Sequence, residues 1–207
     1  NAGDVNRLRA GLERHLHIPW ELVCVTDDPT GIDGRVRVVG LPDTYAATPR
    51  CRRRMQVFSR DFARYLGERL LSIDLDVVIV GDLTPLVDRP EPLVCWRVGY
   101  AGVFSGSFFL MDAGHLDGLW RRFAADPEGY PASVQPRGTP SDQAMLNHYL
   151  QGQEVPHWTE RDGFVTYFGD GYERLEHHGV GPGHPDLPTG ARIVVLGSAD
   201  LDVLRGS

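Results

Sequence analysis

The stretch LLSIDLDVVIV, residues 70–80, is apolar apart from Ser72, Asp74 and Asp76. A short run this hydrophobic and rich in β-branched residues reads as one buried strand, so the rest of the chain has to supply layers on both sides of it. Two carboxylates inside such a run cost several kcal/mol or more if they are buried ionised and unpaired. Something at that point must take up their charge. Side chains alternate along a strand, so Asp74 and Asp76 are expected on one side while Leu75 turns into the core.

The flanking patterns set the fold class. Val5, Leu8, Leu12 and Leu16 recur at helical spacing behind Asp4 as a cap, and Pro19 ends the pattern. WELVCVTDDPTG reads as a buried strand running into an acidic turn, and RVRVVGLP as a shorter strand. Met55, Phe58, Phe62 and Leu66 form a helical stripe ahead of the opening stretch. DLTPLVD follows it as a short helical turn. PLVCWRV and GSFFLMDAG are further strands, and HLDGLWRRFAAD is a helix with Leu116, Leu119, Trp120 and Phe123 inward. Ser141 caps another helix in SDQAMLNHYLQ, with Ala144, Met145, Leu146, Tyr149 and Leu150 along it. GFVTYF and ARIVVLG are the last strands, and residues 130–140 and 177–189 read as loops. Strands alternating with helices predict an α/β sandwich, one domain over residues 1–207, with a mostly parallel mixed sheet flanked by helices. The chain opens at Asn1 directly in a helical pattern, from which a strand upstream of that residue is expected.

Composition narrows the function. With 207 residues and 42% hydrophobic content the chain can bury a full core. A net charge of −7 argues against a nucleic-acid binder that works by broad phosphate neutralisation. All 21 basic residues are arginine. The absence of lysine removes the P-loop G-K-[ST], Schiff-base chemistry and any lysine general base. PRCRRRMQVF is a local basic cluster that fits either an anionic ligand or an exposed helical face. Cys24, Cys51 and Cys95 have neither disulfide-framework nor zinc spacing and are expected as buried thiols. No apolar stretch approaches the roughly 20 residues of a membrane span and no signal-peptide pattern opens the chain, so a cytoplasmic location is expected.

Paired oxygens at a strand end suit a hard divalent cation, Mg²⁺ or Mn²⁺, that completes its shell with waters and substrate phosphates. Solvated acids at a strand end are the bland alternative. The string SIDLDVVI also satisfies the D-x-D-x-[TV] pattern of haloacid-dehalogenase phosphatases, whose nucleophile needs a downstream basic residue, usually lysine. More of the chain agrees with another family. RRRMQVFSRDFARYLGERLLSIDLDVVIVGDLTPLVD, then FSGSFFLMDAG, then SDQAMLNHYL resemble, in that order, segments of glycosyltransferases with the glycosyltransferase-A fold, especially those like family eight. There a basic helix precedes a "yLDxDvvvxgdlxpL" string, an "fNSGvmlmn" strand and a "DQxxLN" helix start. Ser105 and Gly106 match the second motif, with Phe104 where the family has Asn, and Asp142, Gln143, Leu146 and Asn147 match the third.

The resemblance implies a metal-dependent glycosyltransferase that moves a sugar from a nucleotide-diphosphate donor, a UDP-sugar being favoured, to an unidentified acceptor hydroxyl. Asp76 would bind Mn²⁺ or Mg²⁺ and Asp74 the metal or the donor ribose. Ser105 and Gly106 would lie at the donor, and Asp142 and Gln143 would face its sugar as catalytic residues. The family's C-terminal His-Gly segment has no counterpart in ARIVVLGSADLDVLRGS, which leaves Arg54, Arg192 or a loop histidine (His177, His178, His184) as stand-ins. It also keeps open a nucleotide-sugar-binding protein of the same fold without turnover. Thr26 and Asp27 end a strand at the edge where open α/β sheets bind ligands, and are expected at the nucleotide base or ribose.

Overall fold

The computed structural model describes residues 1–41, 50–98, 102–129, 141–167, 187 and 189–196. The loop 130–140, His177, His178, His184 and the segment after Leu196 lie outside them. Helix α1, Ala2–His15, starts with a capping box in which the Asn1 side chain accepts from the Asp4 N–H and the Asp4 carboxylate takes the Asn1 nitrogen. The cap is therefore Asn1, and Asp4 completes the box from the first turn. Val5, Leu8, Leu12 and Leu16 are buried as their spacing requires. Strands β1, Val23–Val25, and β2, Arg37–Val39, form a parallel pair.

The stripe from Met55 to Leu66 is two helices rather than one. A 3₁₀ helix, Arg50–Phe58, gives way to α2, Arg60–Leu66, at Ser59, whose backbone is extended and whose hydroxyl accepts from the Phe62 N–H. A side-chain cap of this kind starts a new helix by replacing an intrahelical bond. Strands β3, Arg69–Ile73, and β4, Val77–Ile79, follow, then helix α3, Thr84–Val87. Strand β5, Leu93–Val98, and strand β6, Val103–Asp112, precede helices α4, Asp117–Ala125, and α5, Asp142–Leu150. Strands β7, His157–Trp158, β8, Phe164–Tyr167, and β9, Ile193–Leu196, complete the described part.

The fold is α/β, with mixed sheets ordered β3-β6-β5-β7 and β4-β9-β8 beside the β1-β2 pair. The expectation of a mostly parallel sheet is corrected. β1·β2, β5·β7 and β8·β9 are parallel, whereas β3·β6, β5·β6 and β4·β9 are antiparallel. The longest strands, β5 and β6, are joined by a connection too short for a crossover, and that forces them antiparallel. Their apolar runs do not alternate with polar residues because both faces are covered. Val94, Trp96, Phe108 and Leu110 pack with α1, β4, β8 and β9, while Leu93, Cys95, Phe109 and Met111 pack with the 3₁₀ helix, α4 and α5.

The stretch LLSIDLDVVIV is not one strand. Asp74, Leu75 and Asp76 form a turn, closed by the Val77 N–H on the Asp74 carbonyl at 3.3 Å, and the chain there passes from one sheet to the other. The Asp74 N–H still pairs with the Ser107 carbonyl, and the Asp76 carbonyl accepts from Leu196. Strand alternation does not apply inside a turn, and Leu75 is 38% exposed instead of buried in the core. Cys95 is buried as expected, but Cys24 is only partly buried and Cys51 is exposed.

Candidate functional site

The charge that compensates Asp74, though not Asp76, comes from within the chain. Arg54, in the 3₁₀ helix, donates from Nε to Asp142 Oδ2 at 2.6 Å and from Nη1 to the Gly106 carbonyl at 2.6 Å. Its Nη1 also bonds Asp74 Oδ1, and Nη2 reaches Asp74 Oδ2 at 3.4 Å. One planar fork thus joins the turn after β3, the bend within β6 and the first residue of α5, which is the bidentate, multi-acceptor task a guanidinium performs and an ammonium cannot. Burial opposes its charge, but the Asp74 and Asp142 carboxylates outweigh that and raise its pKa. Arg52, two residues earlier, has another role. It is buried, donates to the Pro127 carbonyl, pairs with Glu128 and lies over the Phe123 ring.

Asp142 is 6% exposed at the start of α5, behind the Ser141 cap whose hydroxyl accepts from the Ala144 N–H. Gln143, next in the helix, accepts the Gly106 N–H at 3.0 Å through Oε1. Gly106 lets the helix approach closely there: a Cβ on it would lie 3.3 Å from the Gln143 Cβ, a tight contact, and 3.6 Å from Asp142 Oδ2. Ser105 is buried, and its hydroxyl accepts from the Ser107 N–H.

Asp76 differs from its neighbours. Among the described residues its buried Oδ1 has no hydrogen-bond partner, and its carboxyl is pushed up to about 6, first by burial and then by the charge of Asp74. An ionised carboxylate in that condition seeks a cation or a proton. Among the described residues no group of three or more His, Cys, Asp or Glu gathers around it. A donor set of one partly shared and one orphaned carboxylate still fits Mg²⁺ or Mn²⁺ of the kind that takes one or two carboxylates and draws its remaining oxygens from substrate phosphate and water.

The structure therefore brings Arg54, Asp74, Gly106, Asp142 and Gln143 into one bonded cluster, with Asp76 and Ser105 beside it in sequence. Thr26 and Asp27 do stand just past β1, but their turn is self-contained: the Thr26 hydroxyl accepts from the Asp28 N–H and Asp28 accepts from Thr30. Asp27 is exposed. Arg192 is not at the D-x-D turn through any described bond; it donates to the Asp82 carbonyl. The contacts of two residues were not visible in the sequence. The Cys51 thiol lies against Asp142, three residues before Arg54, a spacing that aligns side chains in a 3₁₀ helix; its pKa is raised by burial first, with the Asp142 carboxylate adding to it. Asn147 was visible as a motif residue, and its bonds to Phe104 were not. In comparison with known proteins, no family model matches the chain and no curated protein matches it.

Proposed function

We propose that this chain transfers a sugar from a nucleotide-diphosphate donor, a UDP-sugar being favoured, to an acceptor hydroxyl, through a domain of glycosyltransferase-A type. The observation that carries the reading is the Arg54 fork. It ties together one residue from each of three sequence segments, the D-x-D turn, the F-S-G-S strand and the D-Q helix start, which lie far apart in the chain.

In this reading Asp76 and Asp74 hold Mn²⁺ or Mg²⁺ together with the donor's diphosphate. The metal, when bound, supplies neutralisation of the charge that develops on the leaving diphosphate. Arg54 bonds Asp142 in its buried position and holds it at the edge of β6, where Asp142 and Gln143 face the donor sugar. A preset carboxylate and carboxamide of this kind need no reorganisation when charge builds at the transferring carbon. Thr26 and Asp27 serve the base or ribose from the end of β1. A second reading, nucleotide-sugar binding without turnover, is favoured by the thin donor set around Asp76, which among the described residues has no third carboxylate, His or Cys.

Calorimetry with UDP, Mn²⁺ and chelator tests the site, and UDP release from UDP-sugars tests turnover. UDP and Mn²⁺ are expected to tighten each other's binding, because each lacks enough partners alone, and Asp76→Asn is expected to abolish that coupling. UDP binding that is equally tight in excess chelator would refute the metal assignment. Tight, metal-coupled binding with no UDP release from any sugar donor would select the binding-only reading.

A further inference from the structure

We infer that Asn147 is a positioning residue of the Arg54 cluster: with Gln143 it holds the Phe104–Gly106 edge of β6 so that the Gly106 carbonyl faces the guanidinium. β6 outruns β3 at this end, while β5 still pairs with it at Phe104 and Val103 on the other side. The β3 ladder stops at the pair Ile73 and Phe108, and the β5 ladder changes register between Cys95 and Arg97. Backbone groups that leave a ladder in a partly buried place must find other partners, since leaving them unmet costs about as much as a lost hydrogen bond.

Side chains of α5 supply those partners. Asn147 Oδ1 accepts the Phe104 N–H at 2.8 Å, while Asn147 Nδ2 donates to the Phe104 carbonyl at 2.7 Å and to the Gln143 carbonyl at 2.8 Å. A carboxamide mimics a strand neighbour because it offers an N–H donor and a C=O acceptor of the peptide's own kind. Gln143, one turn earlier on the same helix, takes the Gly106 N–H at 3.0 Å, and Arg54 closes the carbonyl of that residue at 2.6 Å. Helix α5 thus takes the place of β3 along the open edge of these three residues, with β5 on the other side of Phe104. It carries Asp142 at its start, so the same rigid element fixes both the acceptor on the strand and the acceptor on the helix that Arg54 bridges. Loosening the Asn147 end lets the strand edge drift relative to Asp142, and the fork cannot then satisfy both. The functional half of this inference rests on the reading of the cluster as a donor site.

Asn147→Ala and Gln143→Ala test it in the whole chain; the second, which frees the Gly106 N–H and also removes a group facing the donor sugar, is read by amide exchange and the Arg54 resonance alone should the first fail to fold. In Asn147→Ala the Phe104 and Gly106 amides are expected to exchange about tenfold faster or more, with Leu110 and Met111 unchanged. The Arg54 Nε–H resonance is expected to move, and the KM for a UDP-sugar to rise about tenfold, the effect of weakening one charged hydrogen bond. Leu12→Ala is the control for general destabilisation: losing folded protein lowers apparent kcat at constant KM and leaves the Arg54 resonance in place. An Arg54 resonance that stays put in both α5 variants, or that moves equally in the control, overturns the inference. Should the wild type release no UDP from any donor, the glycosyl-transfer reading falls, and the resonance and amide exchange alone decide the positioning role.

Discussion

Replacing Arg54 by methionine keeps most of the length and removes the charge, and the structure says which partner suffers. Asp142 is 6% exposed and its bond to Arg54 Nε is 2.6 Å, whereas the Asp74 side chain is 30% exposed and reached by water. The loss at Asp74 is small, as for other solvated ion pairs. The loss at Asp142 is that of a buried charge stripped of its partner, about 3–5 kcal/mol. For a domain of this size each kcal/mol moves Tm by about 2–4 °C, so Arg54→Met is expected to melt roughly 6–20 °C below wild type. Adding Asp142→Asn removes the stranded charge, and the double variant should regain part of that loss, an interaction energy of about 1–3 kcal/mol in a double-mutant cycle. The assay is calorimetric or circular-dichroism melting of wild type, both single variants and the double. A single variant within about 1 kcal/mol of wild type, or a double variant whose losses simply add, would mean that Asp142 is solvated or otherwise paired and that the fork is not what holds the corner together.

Two further outcomes follow from the same geometry. The Asp76 carboxyl is pushed up to about 6 from an ordinary 3.8, so the folded chain holds a proton that the unfolded chain releases between those values, and stability falls as pH rises from about 4 through about 6. Asp76→Asn should therefore be more stable than wild type at pH 7.5, by no more than about 1–2 kcal/mol given its partial exposure, and indistinguishable at pH 4 in urea unfolding; a constant difference at both would contradict the burial argument. Asp27 is exposed and outside the Arg54 cluster, so Asp27→Ala is expected to leave the melting temperature in place while weakening UDP binding, and unchanged UDP affinity would make it a solvated turn acid.

Much of the frame was legible in the chain itself. The α1 stripe, the helix from Asp117 and the Ser141 cap follow from spacing and hydrogen-bonding chemistry that act within a few residues, and the continuous apolar runs of β5 and β6 announced strands covered on both faces. The two aspartates in residues 70–80 likewise demanded a compensating charge from electrostatics alone; a divalent cation was the expected source, and Arg54 was expected only as a stand-in for the absent His-Gly segment.

What periodicity did not reveal was where backbone hydrogen bonds change partner. Nothing local in LLSIDLDVVIV distinguishes one strand from two; the break at Asp74 exists because β6 takes the first half and β9 the second, and those strands lie far along the chain. The direction of the sheets was equally out of reach of a count of alternating elements, since the short β5–β6 connection reverses the chain. Arg54 could be named as a cation from the sequence, but its choice of Asp74, Gly106 and Asp142 is set by three elements packed around it, and so is the use of Asn147 as a surrogate strand. The sequence determined which residues can bond, because donor and acceptor chemistry belongs to the side chain; only the tertiary structure decided which of them meet, because a buried ladder that ends must be completed by whatever the neighbouring helix presents.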